Sequence, residues 1–196
     1  MPHPETLPTL PHHSLVADID LMIRARFPIL YIVSIEEEPV ELVLKRVAET
    51  TNPPRHLLLW DIVRGWNDDG TAKGSVMSAL KRIADVPPDE RVIFVLRDLH
   101  GILSQPNHDK NVPVIRELKN LTRDLKRSRK TLILLSHTLE IPTTLSEDIT
   151  VIDFPLPDAF EINYLIAKLV VKDKLNVDGL ARQQLIKACQ GLSRER

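Results

Sequence analysis

Five short apolar runs, each separated from the next by an amphipathic stretch, constrain the fold of this chain more than any other feature. Each run is too short for a buried helix and consists mainly of leucine and β-branched residues, which is typical of strands buried on both faces. The runs are 29–33, 56–60, 92–96, 131–135 and 149–154. Strands that alternate with helices over short connections form a parallel sheet covered by helices on both faces. We therefore predict an α/β core.

A proline-marked boundary follows the fifth run. After Pro155 and Pro157 the pattern becomes purely helical, which indicates a small helical lid attached behind the core. The first 13 residues are rich in proline and lack the apolar segment of a secretory signal. We interpret residues 1–13 as a flexible lead, 14–157 as the α/β core and 158–196 as a helical lid that stops before it is complete.

Composition excludes several classes of protein. Hydrophobic residues make up 43% of the 196 residues and charged residues 27%, which is typical of a globular chain. The formal net charge of -1 provides no overall attraction to nucleic acid or to a membrane surface. Cys189 is the only cysteine, so neither an internal disulfide nor a cysteine-based metal site can form. No apolar run approaches the roughly 20 residues that cross a bilayer.

The order of strands and several local stretches resemble the AAA+ ATPases. RVIFVLRDLH resembles their Walker B strand, KTLILLSH the strand that carries sensor 1, and ITVIDFPLPD the entry to their lid. IRARFPILYIVSIEEEPVE is more specific, because it resembles a divergent AAA family first named as a hypothetical chloroplast reading frame and shared by plastids and cyanobacteria. The resemblance implies an AAA+-like five-stranded parallel sheet flanked by helices and a partial helical lid, and we expect the Ile29–Val33 strand to be central in that sheet.

The same resemblance implies what the whole protein does. Members of that family continue into a second, intact AAA+ domain with a true P-loop, and in cyanobacteria the family is associated with photosynthesis and inorganic-carbon use. We therefore expect ATP and magnesium to bind only in a downstream domain, in the cytoplasm of a cyanobacterium or in the plastid stroma. The downstream domain is the expected partner, and assembly into a homo-oligomer through the longer protein is compatible with the family.

The segment after the first strand lacks the chemistry of a P-loop. A P-loop needs glycines for close approach to phosphate, a lysine and a magnesium-binding hydroxyl, whereas this chain has Ser34, Ile35, Glu36, Glu37, Glu38 and Pro39. A carboxylate about 4 to 8 Å from a phosphate charge repels it by roughly 2–4 kcal/mol at an effective dielectric of about 20. The acidic run is instead suited to the positive end of a helix dipole.

The other nucleotide positions are also altered. Walker B ends in two carboxylates, but here the corresponding residues are Arg97 and Asp98, and an arginine cannot bind magnesium. Ser136 lies at the sensor 1 position, where we expect a structural role, as for His137; His100 is expected on the surface. We thus treat Ser34, Glu36, Arg97, Asp98 and Ser136 as vestigial positions. The chain is expected to have no catalytic residue, no cofactor and no metal site of its own.

A row of basic residues follows the predicted long helix near residues 113–129. Its members recur at intervals of three and four residues: Arg116, Lys119, Arg123, Lys126, Arg127 and Lys130. The row is either a solvated helix face or a contact surface for an anionic partner. Nucleic acid is the weakest alternative, because no aromatic residues are interleaved with the basic ones. If the row is exposed, charge reversal at Lys119 and Arg123 should leave stability nearly unchanged.

These observations favour a non-catalytic AAA+-like domain that docks on or regulates an active ATPase domain of the same protein. The alternative is an independent adaptor or nucleic-acid-associated module that uses the basic helix. The two hypotheses differ in the partner: the first requires a domain of the same chain, and the second requires a separate molecule.

Overall fold

In a computed structural model, which describes residues 13–173 and 179–194, strands and helices alternate as predicted. The strands are β1 (Ile29–Val33), β2 (His56–Asp61), β3 (Gly65–Trp66), β4 (Val92–Arg97), β5 (Thr131–Ser136) and β6 (Ile149–Asp153). The helices are α1 (His13–Arg24), α2 (Glu37–Thr50), α3 (Val76–Asp85), α4 (His100–Leu103), α5 (Val112–Lys126), α6 (Ala159–Asp173) and α7 (Gly179–Cys189).

The strands form one sheet in the order β3-β2-β4-β5-β1-β6. All neighbouring strands except β2 and β3 run parallel, and β1 lies between β5 and β6, with Ile29 opposite Leu132 on one side and Ile149 on the other. The parallel sheet with the strand order of the AAA+ proteins is therefore confirmed, but the Ile29–Val33 strand lies next to the edge strand β6 rather than at the centre.

The sheet has one strand more than predicted. β3 pairs with β2 in the antiparallel direction and places Trp66 opposite Trp60. The turn between them depends on Gly65, whose positive φ of 77° is unfavourable for other residues and whose Cβ would overlap the carbonyl oxygens of Thr71 and Gly70. The buried Trp66 ring packs edge to face on Phe94, with ring centroids 5.5 Å apart. This short strand was absent from the five-stranded sheet that the sequence predicted.

Each face of the sheet is covered by its own pair of helices. Alternate strand residues, such as Phe94 and Leu132, pack with the apolar sides of α3 and α5. The residues between them, such as Ile93 and Ile133, pack with α1 and α2. This two-sided burial explains why the central strands are continuous apolar runs rather than alternating ones.

Ser14–Phe154 form one compact unit, and the residues from Pro155 onward belong to another. Within the latter, the Arg182 side chain on α7 donates a hydrogen bond of 2.6 Å to Asn163 Oδ1 on α6. Among the described residues, we found no helix with the length and apolar character that a membrane span needs.

Candidate functional site at the carboxyl edge of the sheet

The carboxyl ends of β1, β4 and β5 meet at a pocket of about 450 Å³. Neighbouring parallel strands end at the same edge of a sheet, and this edge is where open α/β folds bind ligands. The pocket is lined by Ser34, Ile35, Glu37, Asp98, His100, Leu135, Ser136 and His137. Of the five vestigial positions, Ser34, Asp98 and Ser136 line the pocket, whereas Glu36 and Arg97 do not.

The connection from β1 to α2 is too short and too fully bonded to enclose a phosphate group. It consists only of Ser34, Ile35 and Glu36. The Ser34 N–H donates to the Ser136 carbonyl oxygen (2.9 Å), and the Glu36 N–H donates to the Ser34 hydroxyl oxygen (3.0 Å). Two of the N–H groups that a P-loop would direct at phosphate are therefore used within the protein. Glu36 is buried, and Glu37 starts α2 at the pocket wall.

Arg97 forms a cluster of ion pairs behind this pocket. From the end of β4 its guanidinium group contacts Asp61 at the end of β2 (2.9 Å) and two carboxylates of α2, Glu41 (3.0 Å) and Glu37 (3.2 Å). The Arg97 side chain is only 19% exposed. In P-loop enzymes the helix side of this edge supplies the lysine and the strand supplies the carboxylate. Here the strand supplies the cation and the helix supplies the anions.

The pKa values of Asp61 and Glu41, the two most buried carboxylates of this cluster, shift in opposite directions. Burial raises the pKa of Asp61, but the N–H groups of Arg64 and Val63 and the charge of Arg97 outweigh it and leave the pKa below its ordinary value. Burial dominates at Glu41 and raises its pKa, because Glu37 and Glu38 partly offset the attraction of Arg97. The surroundings therefore favour the charged form of Asp61 and disfavour the charged form of Glu41. Asp61 was not predicted as a partner of Arg97, because no local sequence pattern connects two residues that are 36 positions apart.

Asp98 and two histidines lie together at the pocket mouth. Asp98 has a left-handed backbone (φ 58°) and its N–H donates to the Leu135 carbonyl oxygen (3.0 Å). His100 Nδ1 lies 2.6 Å from the Ser136 hydroxyl oxygen, and the rings of His100 and His137 meet at a centroid distance of 4.4 Å. The sequence analysis had treated the two histidines separately. The signal was available, because Asp98 and His137 each directly follow one of two adjacent parallel strands.

The basic row on α5 is not one surface. Lys119 and Lys126 bind the buried Asp148 at 2.5 and 2.9 Å, and these hydrogen bonds lower the pKa of Asp148 despite the opposing effect of its burial. They join α5 to the segment just before β6. Charge reversal at Lys119 would place a carboxylate against Asp148, so the expectation that this substitution is harmless was wrong.

Lys130 lies apart from the row. Helix α5 ends at Lys126, three residues before the predicted end at residue 129, and the chain then turns inward. Lys130 is 5% exposed, and its ammonium group donates to the carbonyl oxygens of Val86, Ile83 and Ala84 at 2.7, 2.8 and 3.3 Å. It therefore caps the carboxyl end of α3 and is not available to a partner. The exposed members of the row are Arg116, Arg123, Lys126 and Arg127.

The strand order and the position of the pocket define the molecule as an AAA-like α/β domain with an altered nucleotide edge. Residues 15–154 match the model of the SpoVK-like AAA ATPase N-terminal domain family, and the chain belongs to that family.

Two relatives of this chain are AAA domain-containing proteins. The AAA domain-containing proteins ycf46 of Trieres chinensis and Guillardia theta are each 34% identical to this chain, over 91% and 93% of its length. The chain spans only 35% and 36% of those proteins. A chain of the Escherichia coli MS115-1 HORMA:CdnC:Trip13 complex superimposes with a TM-score of 0.63 over 93% of this chain and 75% of its own length, at 12% identity. This last similarity concerns the fold alone.

Proposed function

We propose that this chain is a non-catalytic AAA-like domain that docks on and regulates an active ATPase domain of a longer protein. The observation that carries the proposal is the Arg97 cluster, in which one arginine forms ion pairs with three carboxylates of the protein beside the former nucleotide site. Together with the short, hydrogen-bonded β1–α2 connection, this cluster favours a domain whose role is to present a binding surface rather than to bind or hydrolyse a phosphate compound. On this proposal the chain takes no cofactor.

The length of the relatives supports a partner within the same protein. Because the chain spans about a third of the ycf46 proteins, roughly two thirds of each lies outside the matched region, where we place the ATP and magnesium site. Linkage in one chain makes docking intramolecular, at an effective concentration of about millimolar for a short flexible linker. If the nucleotide state changes the docking equilibrium, docking must change nucleotide affinity by the same factor. We also propose that the longer protein acts in photosynthesis or inorganic-carbon use, in the plastid stroma or the cyanobacterial cytoplasm.

The docking face we propose is the exposed part of α5. Arg116 and Arg123 are exposed and lie on one side of the helix, since they are seven residues apart, and Arg127, directly after the helix, is also exposed. Such a face suits an acidic surface on the partner domain. The alternative, an adaptor that binds a separate protein or nucleic acid, would use the same arginines and is separated from the first by the experiment below.

The test compares the full-length protein with a version that lacks residues 1–196. We expect deletion to change the ATPase rate or the number of subunits in the assembly, measured by analytical ultracentrifugation, while the remaining domain stays folded. Reversal of the docking face (Arg116→Glu, Arg123→Glu and Arg127→Glu) should reproduce the change. The matched control reverses three exposed lysines elsewhere, Lys45→Glu, Lys73→Glu and Lys81→Glu, and should not. Equal rates and equal subunit numbers for intact and truncated proteins would reject intramolecular regulation and favour the adaptor.

A further inference from the structure

Three potential metal ligands converge at the mouth of the pocket without forming part of the Arg97 cluster. Asp98, His100 and His137 each offer one ligand atom such that all three atoms lie within 4.8 Å of one another. The Nδ1 atoms of His100 and His137 lie 3.7 and 3.8 Å from the same oxygen, Asp98 Oδ1. Asp98 and His137 directly follow two neighbouring strands, so the sheet sets their separation, and His100 begins α4 two residues after Asp98.

The separations of the two histidine nitrogens from Asp98 Oδ1 are close to those in a zinc site, whereas the upper limit of 4.8 Å for the three atoms means that the histidines must move together when an ion binds. Tetrahedral zinc with bonds of about 2.0–2.1 Å to nitrogen and oxygen requires its ligand atoms to be about 3.4 Å apart. The two measured nitrogen–oxygen distances exceed this by only a few tenths of an ångström, which small side-chain rotations can remove. His100 Nδ1 now lies beside the Ser136 hydroxyl, so binding through that nitrogen exchanges a hydrogen bond for a metal bond.

The surrounding structure holds the ligands and leaves room for more. The buried Tyr31 hydroxyl donates to the Thr138 carbonyl oxygen (2.7 Å), which fixes the chain next to His137. Asp98 is held in its left-handed conformation by the bond of its N–H to Leu135. The charged residues that line the described pocket, Glu37 and Asp98, are both acidic and favour a cation. The pocket volume of about 450 Å³ accommodates water or a small anion as a further ligand.

We propose that Asp98, His100 and His137 bind a divalent transition-metal ion of the zinc type. Two imidazole nitrogens and one carboxylate oxygen suit Zn²⁺ and its neighbours rather than Mg²⁺, which prefers oxygen ligands and octahedral geometry. Three protein ligands with an open fourth position would leave the ion accessible from the pocket. This proposal departs from the expectation from the sequence that the chain has no metal site, and it does not depend on the docking proposed above.

The test is calorimetric titration of Zn²⁺ into the metal-free chain, with Co²⁺ absorption as an independent measure of nitrogen ligation. We expect one saturable site, which His137→Ala and Asp98→Asn each weaken at least tenfold. Both side chains are 54% exposed, and asparagine tolerates the left-handed backbone at position 98, so both variants should fold. Melting curves without metal check this directly, and a variant with an altered melting curve is replaced by His100→Gln.

Two controls separate this site from other histidines. His108→Ala removes an exposed histidine outside the pocket and should leave the affinity for Zn²⁺ unchanged. The double variant His12→Ala, His13→Ala removes the paired histidines near the N-terminus and should also bind normally. The proposal is overturned if the chain does not bind Zn²⁺, if the pocket variants bind as tightly as the original, or if binding is lost in the double N-terminal variant.

Discussion

At the scale of single residues, Arg97 and Lys130 show how two basic side chains acquire different roles from their surroundings. Both are basic, and both are largely withdrawn from solvent. Arg97 is surrounded by carboxylates, so its planar, permanently charged group suits a cluster of several anions. Lys130 is surrounded by carbonyl oxygens, which a compact ammonium group can reach with three separate hydrogen bonds. Neither role is visible from the identity of the residue.

We predict that Arg97→Met lowers the free energy of unfolding by about 2–4 kcal/mol. Methionine keeps much of the aliphatic stem but leaves Asp61, Glu37 and Glu41 without the cation that compensates their mutual repulsion. Chemical denaturation monitored by circular dichroism measures the change. Arg123→Met is the matched control, since Arg123 is exposed on a helix and its replacement should alter stability by no more than about 0.5 kcal/mol. Equal stability of the two variants would show that the cluster contributes nothing to the fold.

At the scale of elements, α5 and the turn that follows it connect three parts of the core. The apolar side of α5 packs on the sheet, with Leu118 and Leu125 fully or almost fully buried. Its polar side binds Asp148 ahead of β6 through Lys119 and Lys126. The turn after it directs Lys130 to the end of α3. Helix ends have carbonyl groups without partners inside the helix, so this contact stabilises α3 where its own hydrogen bonds stop.

Lys130→Met should therefore destabilise the core by about 2–3 kcal/mol, because the carbonyl groups of Ile83, Ala84 and Val86 lose a charged donor. Amide hydrogen exchange should rise first in the last turn of α3. Arg127→Met, three residues earlier and exposed, provides the comparison and should leave exchange in α3 unchanged. If Lys130→Met instead keeps full stability but weakens binding to a partner, Lys130 belongs to the docking face after all.

At the scale of the whole molecule, the fold is preserved while the chemistry of its ligand-binding edge is reversed. The parallel strand order places β1, β4 and β5 side by side, as in the AAA proteins. The residues at their ends form ion pairs and hydrogen bonds with one another rather than an open phosphate site. Fold alone does not specify function. On the two proposals made above, this AAA-like sheet serves as a rigid support for a docking surface and for a small metal site.

The elements that the sequence predicted well are those determined by local pattern. The five long strands follow from their apolar β-branched runs, and their order follows from the family resemblance. β3 was missed because a pair of residues carries no periodicity and its pairing depends on the contact between Trp66 and Phe94. The ion pair of Arg97 with Asp61 and the turn of Lys130 toward α3 were missed because both depend on which elements become neighbours. The Asp98, His100 and His137 cluster was predictable in principle from adjacent strand ends.

The central claim is that this edge of the sheet no longer binds nucleotide, and calorimetric titration of magnesium-ATP into the chain tests it most directly. A longer protein of the family that contains a P-loop serves as the positive control under the same conditions. We predict no saturable binding tighter than about millimolar, because the β1–α2 connection has no lysine, two of its three N–H groups are bonded within the protein and helix α2 begins with carboxylates. Micromolar, magnesium-dependent binding that Asp98→Asn abolishes would contradict the account.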